Sequence, residues 1–368
     1  MGQVMGALLY RVPMHVRRAT GVHQADKRTR GLPPGLDHDV LHRVVRERLG
    51  TEVAGVSYEH LSNWKPTGAY RIIVEDDRGR PGTLIFKNAD YSLDSVPAQE
   101  ELPVTIGAPE FAVMSGLREP LQSFLPDVYW TGDVAGEQRF CYLMEDLHWR
   151  WYRPMRGRDI LAAARAIPRL HAAIRAVVDP NAAGLIHYDD GYSEGLRTYV
   201  TENVERYLSV HPDDEAERLW EDWPRLKAAH IEAVPHPPFG NRLIHGDFNI
   251  ANLYLHWRSR DRLKAVDWEW CGLGYPHTDL ASVLKHASPD VVDRAIDEYG
   301  GAHPNTSPVD HERTYAWCRL QDAIRDAGYV AAQFTYFEHR PRVEPSVYLA
   351  RTLRRARSAV DMLERTDY

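Results

Sequence analysis

The feature that most constrains the fold is a change of hydrophobic period near residue 145. Before it, apolar residues come in short runs around turn-forming residues, as in 70–74 and 83–87 on either side of a turn that contains Gly and Pro. Such pairs predict antiparallel hairpins. After Glu145 the apolar residues recur at helical spacing over most of the chain. Strands followed by helices predict an α+β fold with two lobes, a β-rich N-terminal lobe and a mostly helical C-terminal lobe.

The local patterns divide the chain into an N-terminal extension (1–36), an N-terminal lobe (37–147) and a C-terminal lobe (148–368). In the N-terminal lobe we predict a helix over 38–49, the first hairpin, a helix from Pro109 and a second hairpin over 128–144. The predicted helices of the C-terminal lobe are 159–178, 194–210, 213–233, 279–286, 289–299, 312–338 and 346–365. The predicted strands there are 242–244, 253–255 and 263–266.

Composition excludes several classes of partner and site. The 45 Lys and Arg against 52 Asp and Glu give a net charge of −7, which disfavours nucleic acid and anionic membranes as partners. The three cysteines are far apart without a C-x-x-C pair, so neither a zinc site nor a disulfide framework is indicated. No apolar run is long enough to span a bilayer. We therefore expect a cytoplasmic protein, and predict nothing about its oligomeric state.

The strongest chemical signal is the segment HGDFNIAN over 245–252, which follows an apolar strand. The predicted strands 253–255 and 263–266 then form another hairpin pattern, which leads into Asp267-Trp268-Glu269. Asp247, Asn252 and Asp267 should therefore converge at the ends of neighbouring strands. Phosphoryl transfer needs one carboxylate to orient the attacking hydroxyl, and an Asn and an Asp to hold Mg²⁺, because hard cations prefer oxygen ligands. The five-residue spacing from Asp247 to Asn252 equals that of the protein-kinase catalytic loop.

On these motifs the sequence, over roughly 40–340, resembles the aminoglycoside phosphotransferase and choline kinase-like family, which has the protein-kinase-like fold. The resemblance implies that Asp247 is the catalytic base, that Asn252 and Asp267 bind Mg²⁺, and that ATP, or alternatively GTP, donates the phosphate. It also implies that His245 supports the loop through hydrogen bonds. Asp279 matches a structural Asp of the family, although an ordinary helix N-cap is an equal alternative.

In the N-terminal lobe the resemblance implies a lysine for the α- and β-phosphates, and Lys87 ends the strand where the family has it. Glu110, near a helix start, is the predicted partner of this lysine. Glu100 and Glu101 are rivals, and an acid favoured by the helix dipole is the alternative for Glu110.

Two further segments of this lobe are candidates for nucleotide contact. The family's nucleotide-covering loop corresponds to 62–69, where Gly68 is the only glycine, so an ordinary turn is an equal interpretation. The segment 143–147 resembles the interlobe hinge. Backbone groups of Glu145 and Leu147 are therefore predicted to contact adenine.

The acceptor should bind in the helical lobe near Asp247. No A-P-E motif follows Asp267, so no platform for a peptide is evident and a small-molecule hydroxyl is the expected partner. The residues that could face a cationic acceptor or line its cleft are Asp322, Asp326, Glu338, Trp270 and Tyr275, although a solvated helix face or core packing is the more common role of such residues.

Competing enzyme classes are weakly supported. Residues 191–195 fit G-x-S-x-G, but no buried strand leads into Ser193, which we predict to be a helix N-cap instead of a nucleophile.

The expected function is an ATP- and Mg²⁺-dependent phosphotransferase acting on an antibiotic, amino alcohol or sugar. A non-catalytic nucleotide-binding protein and nucleotidyl transfer on the same fold are the alternatives.

Overall fold

The computed structural model describes residues 29–61, 68–79, 81–88, 108–133, 140–147, 152–174, 185–235, 242–259, 262–302, 306–336 and 345–366. These residues form two compact units. The first contains the described residues of 1–90 and 126–153, and the second contains those of 91–125 and 154–368. The sequence-based boundaries of the functional lobes stay a prediction, and residues 108–125 lie in the helical unit here.

The first unit is built on an antiparallel sheet with strand order β1-β2-β3-β4-β6-β5. Its strands are β1 (Thr29–Arg30), β2 (Gly55–His60), β3 (Ala69–Glu75), β4 (Pro81–Asn88), β5 (Val128–Asp133) and β6 (Phe140–Glu145). Lys87 of β4 lies between Ala69 of β3 and Tyr142 of β6 in the sheet register. The hairpin of β3 and β4 therefore determines the position of this lysine.

One helix covers the apolar face of this sheet. Helix α1 (His38–Leu49) begins after Asp37, whose carboxylate accepts hydrogen bonds from the N–H groups of Asp39 and Val40, and ends at Gly50 in the left-handed region. Its Leu41, Val44 and Val45 are buried. They pack with the inward-facing residues of the strands, among them Ile72, Leu84, Phe86 and Leu143.

The second unit is mostly helical. Its helices are α2 (Ala108–Ser115), α3 (Arg118–Leu121), α4 (Ile160–Ile174), α5 (Asp190–Val210), α6 (Asp214–Trp220), α7 (Trp223–Glu232), α8 (His277–Leu284), α9 (Pro289–Gly301), α10 (Pro308–Tyr336) and α11 (Pro345–Thr366). Helix α10 is the longest of these and packs against α5, α8 and α11. It carries buried residues along most of its length, which makes it the central helix of this unit.

Short strands complete the second unit and frame the HGDFNIAN segment. Strands β8 (Ile186–His187) and β9 (Arg242–Ile244) flank β12 (Gly272–Gly274), with β8 parallel and β9 antiparallel to it. Strands β10 (Leu253–His256) and β11 (Leu263–Ala265) form the antiparallel hairpin that follows the motif. A further strand, β7 (Tyr152–Pro154), lies at the point where the chain passes from one unit to the other.

The predicted α+β fold class is confirmed, and the differences concern single elements. The predicted helix 213–233 is two helices, because α7 begins anew with a proline in its first turn. Strands β2, β8 and β12 had no clear alternating signal. Most of the predicted extension 1–36 lies outside the described residues, but its described end includes β1, which pairs with β2. No helix in the described part of the chain is long and apolar enough to cross a membrane.

Candidate functional site

The HGDFNIAN segment begins where β9 ends. Leu243 and Ile244 are buried, and β9 is hydrogen-bonded to β12. The chain then leaves the sheet, passes through His245 to Asn252 and re-enters regular structure in β10. The segment, here called the 245–252 loop, therefore has a fixed strand on each side and no strand ladder of its own.

Gly246 makes the first turn of this loop possible. Its φ is +76°, a conformation that L side chains rarely adopt. A Cβ atom at this position would lie 2.0 Å from the carbonyl oxygen of Trp270 and 2.6 Å from the hydroxyl of Tyr188. The loop therefore requires glycine for its backbone angle and for the close approach of Trp270.

The carboxylate of Asp279 anchors the loop backbone. Its Oδ2 accepts the N–H of His245 at 3.0 Å, its Oδ1 accepts the N–H of Gly246 at 2.9 Å, and Nε2 of His171 lies 3.1 Å from Oδ2. Asp279 is fully buried and lies in the first turn of α8, whose N-cap position is Pro276. The N-cap alternative for Asp279 is thus wrong, and its structural role is to hold the loop.

His245 is buried beneath the loop and uses both ring nitrogens. Its Nδ1 accepts the N–H of Asp247 at 3.3 Å, and its Nε2 lies 3.2 Å from the carbonyl oxygen of Val266. Burial lowers the pKa of His245, although nearby acids oppose that effect. A neutral ring with one acceptor and one donor nitrogen fits these contacts, so His245 supports the loop as expected.

The structure brings Asp247 and Asn252 into direct contact. Nδ2 of Asn252 donates to Oδ2 of Asp247 at 2.9 Å and to the Asp247 carbonyl at 3.1 Å. The Asp247 side chain is 22% exposed, so its carboxylate is held and still accessible. Burial raises the pKa of Asp247, while the cations Lys285 and Arg325 lower it.

Asp267 follows β11 beside this pair. The N–H of Val266 donates to the carbonyl of Asn252 at 2.9 Å, which joins the two halves of the site. Asp267 has a φ of +68°, which is rare for a residue other than glycine. Backbone strain of this kind is typical of functional sites.

Glu110 is positioned against the segment that follows Asp267. The buried Glu110 carboxylate accepts the N–H of Trp268 at 3.2 Å through Oε1. Lys87, its predicted partner, belongs to the other unit, and the ion pair between them stays a prediction. The rivals Glu100 and Glu101 lie outside the described residues.

A cluster of charged residues lies behind Asp247, and sequence reasoning missed its basic members. Asp322 and Arg325 are on α10, where Oδ1 of Asp322 lies 2.8 Å from Nη2 of Arg325. Oδ2 of Asp322 accepts from Arg355 of α11 at 2.6 Å. Lys285, just after α8, donates to Oδ2 of Asp326 at 2.9 Å. In the sequence, the spacing Asp-x-x-Arg on a predicted helix indicates an ion pair between Asp322 and Arg325, and this was the signal that could have revealed the cluster.

The electrostatics of this cluster are those of paired buried ions. Burial alone would lower the pKa of Lys285 and Arg325, but Asp322 and Asp326 raise both pKa values above their ordinary range. Burial works in the opposite direction on Asp326, yet Lys285, Arg355 and Arg325 hold the pKa of its carboxyl well below normal. Lys285, Arg325 and Asp326 are thus charged at neutral pH.

The predicted acceptor-facing residues have other contacts. Asp322 and Asp326 are engaged by cations of the chain itself. The Trp270 ring centroid lies 5.0 Å from the Arg325 guanidinium. Tyr275 donates its hydroxyl to the carbonyl of Pro235 at 2.6 Å. Glu338 lies outside the described residues.

The serine of the G-x-S-x-G pattern is not an N-cap. Helix α5 begins at Asp190, with Asp189 as its N-cap accepting the N–H of Tyr192 at 2.9 Å. Ser193 therefore lies four residues beyond the observed N-cap, and it is buried. A short acidic run was the stronger capping signal.

The candidates of the first unit are held by strand pairing. Lys87 is half-buried in β4, and Gly68 is buried with its carbonyl accepting the N–H of Asn88 at 2.9 Å. The backbone N–H of Glu145 donates to the carbonyl of Asp127, and its Oε1 accepts the N–H of Asp127, both at 2.9 Å. Leu147 is buried. Residues 62–67 of the predicted covering loop lie outside the described residues.

The solved structures to which this chain is similar include kinases and phosphotransferases. A choline kinase from Streptococcus pneumoniae has a TM-score of 0.54 at 13% identity, covering 89% of this chain and 98% of that one. The GDP complex of aminoglycoside 2'-phosphotransferase-IIIa has a TM-score of 0.54 at 14% identity, covering 88% and 98%. These similarities confirm the predicted protein-kinase-like fold.

Sequence comparison extends this to the family. A probable acyl-CoA dehydrogenase, IBR3, from Arabidopsis thaliana is 31% identical in an alignment of 198 residues, and the match covers 48% of this chain but only 22% of that protein. The model of the phosphotransferase enzyme family matches residues 73–320, a range that includes both Lys87 and the 245–252 loop. The match extends over more than half of the chain, which therefore belongs to the phosphotransferase enzyme family.

Proposed function

We propose that this protein transfers the γ-phosphate of ATP to a hydroxyl group of a small molecule, with Mg²⁺ as cofactor and Asp247 as the catalytic base. The observation that carries the proposal is the geometry of Asp247. Its carboxylate is fixed by Nδ2 of Asn252 at 2.9 Å, and the side chain is 22% exposed beside that contact. A held, accessible carboxylate on this family's loop suits the orientation of an attacking hydroxyl.

Proton acceptance is the role proposed for Asp247. Burial raises the pKa of its carboxyl, which strengthens it as a base, while Arg325 and Lys285 favour the ionised form. Asn252 keeps one carboxylate oxygen in place. The acceptor hydroxyl would give up its proton to Asp247 as its oxygen attacks the γ-phosphorus, and ADP would leave.

The side chains of Asn252 and Asp267 fit the proposed metal. Because Nδ2 of Asn252 donates to Asp247, its Oδ1 is the atom left to serve as a ligand. Among the described residues no cluster of three or more His, Cys, Asp or Glu forms a metal site. An amide and a carboxylate oxygen supplemented by phosphate oxygens and water are the usual ligands of Mg²⁺ in kinases. When bound, Mg²⁺ supplies charge neutralisation on the transferring phosphoryl group.

The first unit supplies the proposed nucleotide contacts. Lys87 would neutralise the α- and β-phosphates, with Glu110 as its partner, and Gly68 would lie near the phosphates. Asp127 is hydrogen-bonded to both the N–H and the carboxylate of Glu145. The backbone of Glu145 and Leu147 would then meet adenine, or guanine if GTP is the donor.

The acceptor is proposed to be an alcohol of low molecular weight: an aminoglycoside or other antibiotic, an amino alcohol or a sugar. A net charge of −7 supports the absence of a nucleic-acid partner. We propose no membrane partner and a cytoplasmic location.

The test compares Asp247→Asn with the matched control Asp297→Asn, which changes an exposed carboxylate on α9. Hydroxyl compounds of the proposed classes are screened with ATP and Mg²⁺, and products are weighed by mass spectrometry. We expect phosphorylated product, a loss of turnover of about 10²–10⁴-fold in Asp247→Asn, and none in the control. Calorimetry should find ATP binding retained in Asp247→Asn.

Three outcomes contradict the proposal in different ways. Near-normal turnover in Asp247→Asn would remove Asp247 as the base. A product heavier by a nucleotidyl group would indicate transfer of AMP. Nucleotide binding without transfer to any compound would favour a non-catalytic nucleotide-binding protein.

A further inference from the structure

We propose that Arg325 is a positioning residue for the transfer reaction: it holds the 245–252 loop in its working shape through the carbonyl of Gly246. The inference rests on the proposed function for its catalytic meaning. Its structural part, the dependence of the loop on Arg325, stands on contacts within the second unit alone.

The Arg325 guanidinium joins three parts of the site. Nη1 donates to the carbonyl of Gly246 at 2.7 Å, and Nη2 lies 3.7 Å from Oδ1 of Asp247. The guanidinium carbon lies 5.0 Å from the centroid of the Trp270 ring, within the range of a cation–π interaction. The side chain is 7% exposed, so water is largely excluded from these contacts. Contacts of this kind are stronger than the same contacts in solvent.

Arg325 and Asp279 hold opposite ends of the same turn. Asp279 accepts the N–H groups of His245 and Gly246, and Arg325 donates to the Gly246 carbonyl. The residue immediately after this turn is Asp247. A negative group thus binds the amides and a positive group binds the carbonyl, which leaves the left-handed turn at Gly246 with one favoured orientation.

The cluster behind Arg325 holds the guanidinium in this orientation. Asp322 binds Nη2 of Arg325 at 2.8 Å with one oxygen and Arg355 with the other. Asp326 is bound in turn by Lys285 and Arg355. Asp322 therefore serves the positioning of Arg325, and neither acid is a free anionic surface for a cationic acceptor.

A lysine would not reproduce these contacts. The guanidinium is a planar fork whose two terminal nitrogens here reach Gly246 and Asp322 at once. An ammonium group keeps the positive charge but has no such fork and no flat face for the Trp270 ring. Arg325→Lys thus separates the need for charge from the need for geometry.

The first experiment measures hydrogen exchange of the peptide that contains residues 243–253. Wild type is compared with Arg325→Gln and Arg325→Lys, and with Arg319→Gln as the matched control. Arg319 is a half-buried residue of the same helix whose Nη1 contacts Sδ of Met362. We expect exchange in the loop about 10- to 100-fold faster in Arg325→Gln, several-fold faster in Arg325→Lys, and unchanged in the control.

The structural part of the proposal is overturned if the loop in Arg325→Gln exchanges as slowly as in wild type. It is also overturned if exchange becomes faster by the same factor throughout the second unit. If Arg325→Gln does not fold, Arg325→Lys decides, because it retains a counter-charge for Asp322. Unchanged loop exchange in Arg325→Lys would then overturn the proposal.

The second experiment measures ATP hydrolysis with water as the acceptor. We expect Arg325→Ala to lower kcat about 10- to 100-fold with little change in KM for ATP, and millimolar guanidinium ion to restore part of kcat relative to equal sodium chloride. Full activity in Arg325→Ala, or no rescue of a folded variant, would overturn the catalytic part. Absence of ATP hydrolysis and ATP binding in wild type would instead contradict the proposed function and leave the exchange result to stand alone.

Discussion

In the first unit Lys87 and Glu145 lie in strands whose paired neighbours set their positions, whereas in the second unit Asp247 lies in a loop outside any strand. Lys87 is opposite Ala69 and Tyr142 in the sheet register. The loop that carries Asp247 is held by buried charged side chains that are distant along the chain, Asp279 and Arg325.

The difference teaches that the two sets of candidate residues depend on different forces. A strand position is secured by many backbone hydrogen bonds, so the loss of one side chain leaves it nearly unchanged. The 245–252 loop relies on a few buried charged hydrogen bonds, and removal of one partner leaves the other desolvated without a bond. The same kind of substitution should therefore lower the free energy of unfolding more in the second unit than in the first.

The largest effect is expected from Gly246→Ala. The added Cβ would meet the Trp270 carbonyl oxygen at 2.0 Å, and the residue would have to keep a φ of +76°. Because backbone cannot give way as a side chain can, we expect a loss of about 4 kcal/mol or more in the free energy of unfolding, with loss of activity. Urea unfolding followed by tryptophan fluorescence measures it. A stable, active Gly246→Ala would break the comparison.

Asp279→Ala is expected to follow, with Asp146→Ala as its counterpart in the first unit. Asp279→Ala leaves two buried N–H groups and His171 without an acceptor, which should cost about 3–5 kcal/mol. Asp146 pairs with Arg71 at 2.7 Å, but the Arg71 side chain is 21% exposed and water can replace the carboxylate. We expect about 1–2 kcal/mol there. Equal losses in the two chemical unfolding curves would contradict the comparison.

The free energy of unfolding is expected to depend on pH through His230. This ring is fully buried against Trp317, and Arg197 lies 3.1 Å from its Nδ1. Burial, with Arg197 adding to it, lowers the pKa of His230 to about 3. The unfolded chain gains the proton near pH 6.5 while the folded chain does not. Stability should therefore fall by about 1.4 kcal/mol per pH unit below 6.5, until the folded form titrates near pH 3.

Unfolding curves at several pH values compare wild type with His230→Gln. The difference in the free energy of unfolding between the two should change with pH at that slope. A constant difference for His230→Gln would contradict the buried, neutral state of this ring.

The smallest effect is expected from Gly50→Ala, the matched counterpart of Gly246→Ala in the first unit. Gly50 ends α1 with a φ of +66°, and an added Cβ would meet nothing within 4 Å. Only the backbone penalty remains, about 1–2 kcal/mol. Thermal unfolding measures it. A loss as large as that of Gly246→Ala would mean that φ alone, and not the approach of Trp270, dominates both sites.

Much of the fold could be predicted because its elements carry local signals. Helix α1 has a capping Asp37, an apolar face and a closing Gly50, and its observed bounds match the prediction. Strand β9 matches likewise. Strand β2 was missed because Gly, Ser, Glu and His interrupt its alternation, and its strand state comes from pairing with β3. Tertiary pairing overrides weak propensity in such segments.

The candidate site divides in the same way. The loop motif with Asp247 and Asn252 was visible in the sequence, because the two residues are only five positions apart in one turn-rich segment. This short spacing lets the Asn252 amide bond the Asp247 carboxylate. The anchors were not visible. Asp279 was open between two roles, Glu110 was open between a pair with Lys87 and the helix dipole, and the sequence offered no reason to connect Arg325 with Gly246.

The sequence by itself determined the elements with strong local signals, the 245–252 loop motif and the family to which the chain belongs, because these depend on residues close together in the chain. Only the tertiary structure decided which buried charges hold that loop: Asp279 on its amides, Arg325 on its carbonyl and Glu110 on the segment after Asp267. The physical reason is that these hydrogen bonds join residues 33, 79 and 158 positions apart. No local pattern specifies such partners, and packing of the helices brings them together.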